Sequence, residues 1–160
     1  MIMQQVATDY VELRFGPRWT YISSVRKFVA NFFMIGLSDK ERAEKISMAA
    51  SELLENAVKY ASEDEGYLKI TIAKGDREVD VCVKNKAEPH HINTLRREFA
   101  LIHAGQPEQV YLRKMEEAAM TEGQSRLGLA RIRYEAGAQL RLDVHEGEVS
   151  IHAIFDLEQA

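Results

Sequence analysis

The sequence predicts an α+β fold of two layers, a mainly antiparallel sheet covered on one face by helices. Three observations lead there. Five short stretches alternate apolar with polar residues, the period of a strand with one buried face. Between them, apolar residues recur every three or four positions, the period of an amphipathic helix. The segments run strand, helix, helix, hairpin, helical insertion, helix, hairpin, and sheet and helices segregated in this way pack as two layers.

Each element has its own signal. Tyr10-Val11-Glu12-Leu13-Arg14-Phe15 alternates as a first strand, and Gly16-Pro17 stops it. From Trp19, the residues Ile22, Val25, Phe28, Val29, Phe32 and Phe33 follow helical spacing, with Gly36 as the expected C-terminal cap. This helix is expected to bury its aromatics. Ser38-Asp39-Lys40-Glu41 has the capping-box form, in which the Ser hydroxyl and the Glu carboxylate satisfy backbone donors. The helix it opens runs through residues 52–59. Residues 62–66, Ser-Glu-Asp-Glu-Gly, read as a polar break.

Leu68, Ile70 and Ile72 then alternate with Lys69 and Thr71, and Val79, Val81 and Val83 with Asp80, Cys82 and Lys84. Gly75-Asp76 between them suits a hairpin turn. Cys82 falls on the face opposite the valines and reads as a small sheet residue rather than a nucleophile. Residues 85–125 are the least regular. Leu95, Phe99 and Ile102 suggest a helix ending near Gly105, and Val110, Leu112, Met115, Ala118 and Ala119 another after Pro107. Leu127, Leu129, Ala130 and Ile132 resume a helix that Gly137 closes. Leu140, Leu142 and Val144 pair through Glu146-Gly147 with Val149, Ile151, Ala153 and Phe155.

Length and composition set bounds. The 160 residues fit a single domain, 1–160, with 86–125 as a helical insertion. With 46% hydrophobic and 29% charged residues, the chain has an ordinary soluble globular composition. A net charge of −4 gives no reason to expect nucleic acid or an anionic membrane as partner. The pairs Arg96-Arg97 and Arg113-Lys114 are too short, and too mixed with Glu98, Glu116 and Glu117, to change that. One cysteine excludes an internal disulfide framework and fits a reducing compartment. No apolar run reaches the roughly 18 residues of a membrane span and no leader pattern opens the chain, so a cytoplasmic location is expected.

Chemistry concentrates on the second helix. At about 100° per residue, Ile46, Ala49, Ala50, Leu53, Leu54, Ala57, Val58 and Ala61 fall on one broad arc. Glu52, Asn56 and Lys59 share a narrow wedge opposite. A carboxylate, an amide and an ammonium at i, i+4 and i+7 are neighbours on successive turns. Together they can accept a proton, ligate a hard cation and neutralise a phosphoryl oxygen. The same three residues also fit a plain solvated face. Glu55 fits two parts, an approach to a cation as the neighbour of Asn56 or, the favoured one, an i, i+4 ion pair with Lys59. Ser47 and Ser51 lack a nucleophile-elbow context. His90-His91, placed on a strand, cannot share a metal, and His103, His145 and His152 look isolated. Arg131 and Arg133 read as surface charges.

The stretch Glu52-Leu53-Leu54-Glu55-Asn56-Ala57-Val58-Lys59-Tyr60 resembles the N box of the GHKL ATPase superfamily, which includes gyrase, Hsp90, histidine kinases and anti-sigma-factor serine kinases. The order of strand, aromatic-rich helix, capped helix and E-x-x-x-N-A is most similar to the small anti-sigma kinases, over residues 9–85 and about 125–156. The resemblance implies the Bergerat, or histidine kinase-like ATPase, fold, with 86–125 as the lid over a nucleotide. It implies ATP and Mg2+ as cofactors, with Glu52 as general base, Asn56 as Mg2+ ligand and Lys59 as phosphate contact; the loss of the family's glycines makes weak binding the expectation.

The family's D-x-G-x-G box falls on Asn85-Lys86-Ala87-Glu88-Pro89, so Asn85 and Ala87 stand at the adenine, with both glycines replaced. The G-x-G box at the phosphates falls on Arg126-Leu127-Gly128-Leu129, with only Gly128 retained. The function implied is a regulatory kinase moving the ATP γ-phosphate to a Ser or Thr of a small partner, anti-sigma antagonist-like or sigma factor-like. The alternative is an inactive or catalytically weak partner-binding switch of the same fold, which the missing glycines favour. Kinases of this family often pair, implying a homodimer through the first helix.

Overall fold

A computed structural model describes residues 8–73, 77–120 and 127–158. Its elements are β1 (Thr8–Phe15), α1 (Trp19–Leu37), α2 (Lys40–Tyr60), β2 (Ala61–Ala73), β3 (Glu78–Ala87), α3 (Pro89–Ile102), α4 (Pro107–Met120), α5 (Gly128–Tyr134), β4 (Gln139–His145) and β5 (Glu148–Asp156). The strands form one sheet in the order β1-β2-β3-β5-β4, and every neighbouring pair is antiparallel. This is the two-layer α+β arrangement expected from the alternation.

Register explains the layering. Leu68 lies opposite Val83 and Leu13, Ile70 opposite Val81 and Val11, and Val81 opposite Ala153. These side chains share one face, because side chains alternate along a strand. The helices cover it. The opposite face carries a row running Glu12, Lys69, Cys82, His152, Arg141 across all five strands, polar as an uncovered antiparallel face should be. Cys82 therefore sits opposite the valines, as the alternation predicts.

α2 is the helix nearest the centre. Ala43, Ile46, Ala49, Ala50, Leu53, Leu54 and Ala57 are buried at 1% exposure or less. Four alanines among them let the helix approach the sheet closely, while the leucines and Ile46 fill the space between; each large side chain fully buried contributes roughly 1.5–3 kcal/mol. α1 packs on α2 through Val25, Val29 and Phe33.

Several local expectations need correcting. Gly36 lies inside α1, and Ser38, at φ 53°, takes the left-handed cap position, its N–H donating to Met34 O at 3.1 Å. Asp39 then caps α2, accepting from Arg42 N at 3.1 Å, so the capping box does not form on Ser38. Each residue of the pair serves a different helix. The polar stretch at 62–66 belongs to β2, whose pairing with β3 is irregular there. Most α1 aromatics do not go inside: Trp19, Tyr21 and Phe28 are exposed, since α1 packs chiefly on α2. In α4, Leu112 and Met115 are exposed while Val110 and Lys114 are buried. His90 and His91 lie in the first turn of α3, not on a strand.

The turn at Glu146-Gly147 has positive φ at both residues (49° and 80°), the hairpin geometry that Gly relieves of Cβ strain. The Gly75-Asp76 turn lies outside the described residues. Among those described, no helix is long and apolar enough to cross a membrane.

Candidate functional site

The buried arc of α2 fixes the direction of its polar wedge. Glu52, Asn56 and Lys59 are half-buried rather than solvated, because α3, α4 and α5 close over them. They line a cavity of about 510 Å³, within the usual range for small-ligand sites. Thr94, Leu95 and Glu98 of α3 form one wall. Tyr111 of α4, with Leu127, Gly128 and Arg131 at the start of α5, forms the other.

Glu52 is a half-buried acid under opposed influences. Burial raises its pKa above the ordinary carboxylate range, the charge of Glu55 raises it further, and Arg131 opposes both. Arg131 Nη1 lies 3.4 Å from Glu52 Oε1, and its Nε donates to Glu135 Oε2 at 2.9 Å. Glu135 takes a second bond from the Tyr111 hydroxyl at 2.8 Å. Glu55 bears on Glu52 and no bridge to Lys59 forms among the described residues, so the expected i, i+4 pair is replaced by a carboxylate cluster.

Gly128 lies in close approach to the Glu52 side chain. A Cβ there would lie 2.5 Å from Glu52 Oε2. The far end of Glu52 would have to move, and its aim with it. On the α3 side, Lys114 donates to both oxygens of Glu98 at 3.1 and 2.9 Å, and both residues are buried. Lys114 is thus a structural cation, not the surface charge its sequence neighbourhood suggests.

Of the expected site residues, Glu52, Asn56, Lys59, Leu127 and Gly128 line this one cavity. Asn85 lies elsewhere, in a shallow concavity with Arg14, Tyr67 and Lys84, donating from Nδ2 to Lys86 O at 3.2 Å. Ala87 is buried in the apolar core. Arg126 lies outside the described residues. Arg131 and Arg133 are not simple surface charges: Arg131 enters the cavity, and Arg133 donates to the carbonyls of Ile102 and Gly105, tying α5 to the α3–α4 connection. The sequence signal for Arg131 was its position three residues after Gly128, on the same side of α5.

The profile of the family described as "Histidine kinase-like ATPase domain" matches residues 15–123, well over half of the sequence. The chain belongs to that family. The fold expected from the N box is therefore the fold the histidine kinase-like ATPase domain has. No curated protein matches. Among solved structures, the SiaB–SiaC complex from Pseudomonas aeruginosa contains a similar chain, with a TM-score of 0.68 at 18% identity over 91% of this chain and 89% of that one. A blue-light-activated histidine kinase domain from Erythrobacter litoralis matches with a TM-score of 0.45 and 16% identity, over 86% of this chain and 62% of that one.

Proposed function

We propose that this histidine kinase-like ATPase domain is a regulatory protein kinase that transfers the γ-phosphate of ATP to a Ser or Thr of a small partner protein. The observation that carries this reading is the convergence of Glu52, Asn56 and Lys59 on one cavity with Gly128 and Arg131. Phosphoryl transfer depends chiefly on positioning and charge neutralisation, and these groups supply both. The donor set also suits Mg2+: Asn56 lines the same cavity as Glu52 and Glu55, and an amide oxygen and carboxylates are hard oxygen donors. When bound, the ion neutralises phosphate charge.

In this reading Glu52 takes the proton of the attacking hydroxyl as its oxygen bonds to the γ-phosphorus, and the bond to the β-phosphate breaks to release ADP. The raised pKa of Glu52 matches that role, since a general base works best when its pKa lies nearer the working pH. Lys59 contacts the phosphates, and 86–125 serves as the lid. The protein partner named in the SiaB–SiaC complex supports a protein partner for this chain as well. The placement of Asn85 outside the cavity, with Ala87 in the core, favours a second reading: a partner-binding switch that transfers nothing.

Titration calorimetry with ATP and Mg2+ separates the two. The wild-type chain is expected to bind weakly, and Asn56→Ala to lose about tenfold in affinity or more. No heat from the wild type at millimolar ATP sinks the kinase reading and leaves the switch. Transfer of labelled phosphate to candidate partners is expected to vanish in Glu52→Gln; transfer that survives means that Glu52 is not the base.

A further inference from the structure

Among the described residues two cations line the cavity, Lys59, already assigned to the phosphates, and Arg131, while Lys114 and Arg133 stand behind its walls. Lys114 is buried and held by both oxygens of Glu98, and Arg133 is committed to two backbone carbonyls. Arg131 differs. Its side chain is 46% exposed, so its guanidinium can turn without displacing packed atoms. Its contact with Glu52, at 3.4 Å, is longer than the 2.7–2.9 Å of a good charge-assisted bond. Among the described residues only Glu135 holds it tightly, and Glu135 is itself fixed by Tyr111 of α4.

We propose that Arg131 recognises the terminal phosphate of the nucleotide and makes this cavity prefer a nucleoside triphosphate to a diphosphate. The inference rests on Glu52 acting as the base, because the phosphate beside the base is the one transferred. Arg131 already stands next to Glu52, so it meets that phosphate rather than those nearer the sugar. A phosphate offers the guanidinium fork two oxygens at once, a better partner than the single long contact to Glu52. The guanidinium passes from carboxylate to phosphate, which leaves Glu52 to the incoming hydroxyl. Glu135 and Tyr111 keep it at the cavity wall until then. ADP has no group at that place and gains nothing from Arg131.

Calorimetry on the full chain with Mg-ATP and Mg-ADP tests this, using wild type, Arg131→Ala, Arg131→Lys and Glu135→Gln. Arg131→Ala is expected to weaken ATP about tenfold to a hundredfold and to leave ADP within about threefold. Arg131→Lys restores part of the loss, because it keeps the charge without the fork. Glu135→Gln loosens the hold on Arg131 and tightens ATP several-fold with ADP unchanged. Equal losses for both nucleotides, or an unaltered ATP affinity in Arg131→Ala, overturns the proposal while the kinase reading stands. A wild type that binds neither nucleotide overturns both. Should Arg131→Ala fail to fold, the Lys and Glu135→Gln variants decide: loss of ATP and ADP binding together in Glu135→Gln marks Arg131 as a structural prop.

Discussion

Glu52 meets opposed demands at one side chain. Its side chain is only 16% exposed and has Glu55 beside it, which disfavours the charge, while Arg131 returns part of the loss. Burial is the largest influence, so the balance is a raised pKa. The folded chain therefore holds this proton more tightly than the unfolded one. Stability is unaffected by the group below the ordinary carboxylate pKa, falls as pH rises through the raised value, and stays reduced at neutral pH. Glu52→Gln removes the buried charge and keeps the shape. The variant is expected to be more stable than wild type by about 1 kcal/mol at pH 7.5, with the difference gone near pH 4, as thermal unfolding at the two pH values would show. A variant less stable at pH 7.5 would mean that the ion pair with Arg131 outweighs burial.

At the scale of elements, the sheet's uncovered face holds a second group with a shifted pKa. His152 of β5 lies 3.0 Å from both oxygens of Asp80 and 3.6 Å from Cys82 Sγ, both on β3. From β4, Asp143 approaches it at 3.4 Å and Arg141, at the same distance, opposes its charge. The hydrogen bond to Asp80 dominates and raises the imidazole pKa to about 9. A raised histidine pKa stabilises the fold fully below the ordinary value and ceases to do so as pH climbs through the folded one. Stability is expected to fall by on the order of 2–3 kcal/mol between about pH 6.5 and pH 9.5. Asp80→Asn should flatten that slope in denaturant titrations; an unchanged slope would assign it to other groups.

The strands themselves were legible because period-two alternation is local, and so was α2, whose buried arc and polar wedge repeat every turn. What escaped depends on contacts distant in sequence. His152 meets Asp80 across 72 residues, and Arg131 meets Glu52 across 79. Ser38 and Asp39 misled for a different reason: two helices abut there, and either residue can cap on sequence alone. In the same way Lys114 and Leu112 exchanged their expected places because Glu98 offers a buried partner that no helical wheel displays.

For the molecule as a whole, stability should be uneven. α2 lies against the sheet with seven hydrophobic residues buried to 1% exposure or less, whereas α4 buries only Val110 and Lys114. α4 is held to the rest by polar ties, Lys114 to Glu98 and Tyr111 to Glu135. An element with so little buried apolar surface opens at a lower free energy than the core helix. Native-state hydrogen exchange is thus expected to show α4 amides exchanging through openings at least about 2 kcal/mol cheaper than those of α2. If α3 and α4 form the wall that retains a nucleotide, an opening that frees α4 also releases the ligand. Mg-ATP at a hundredfold excess over its Kd should then raise the opening free energy of α4 by about 2.7 kcal/mol. Protection that grows in α2 but not in α4 would detach the insertion from the nucleotide and leave the cavity open on that side.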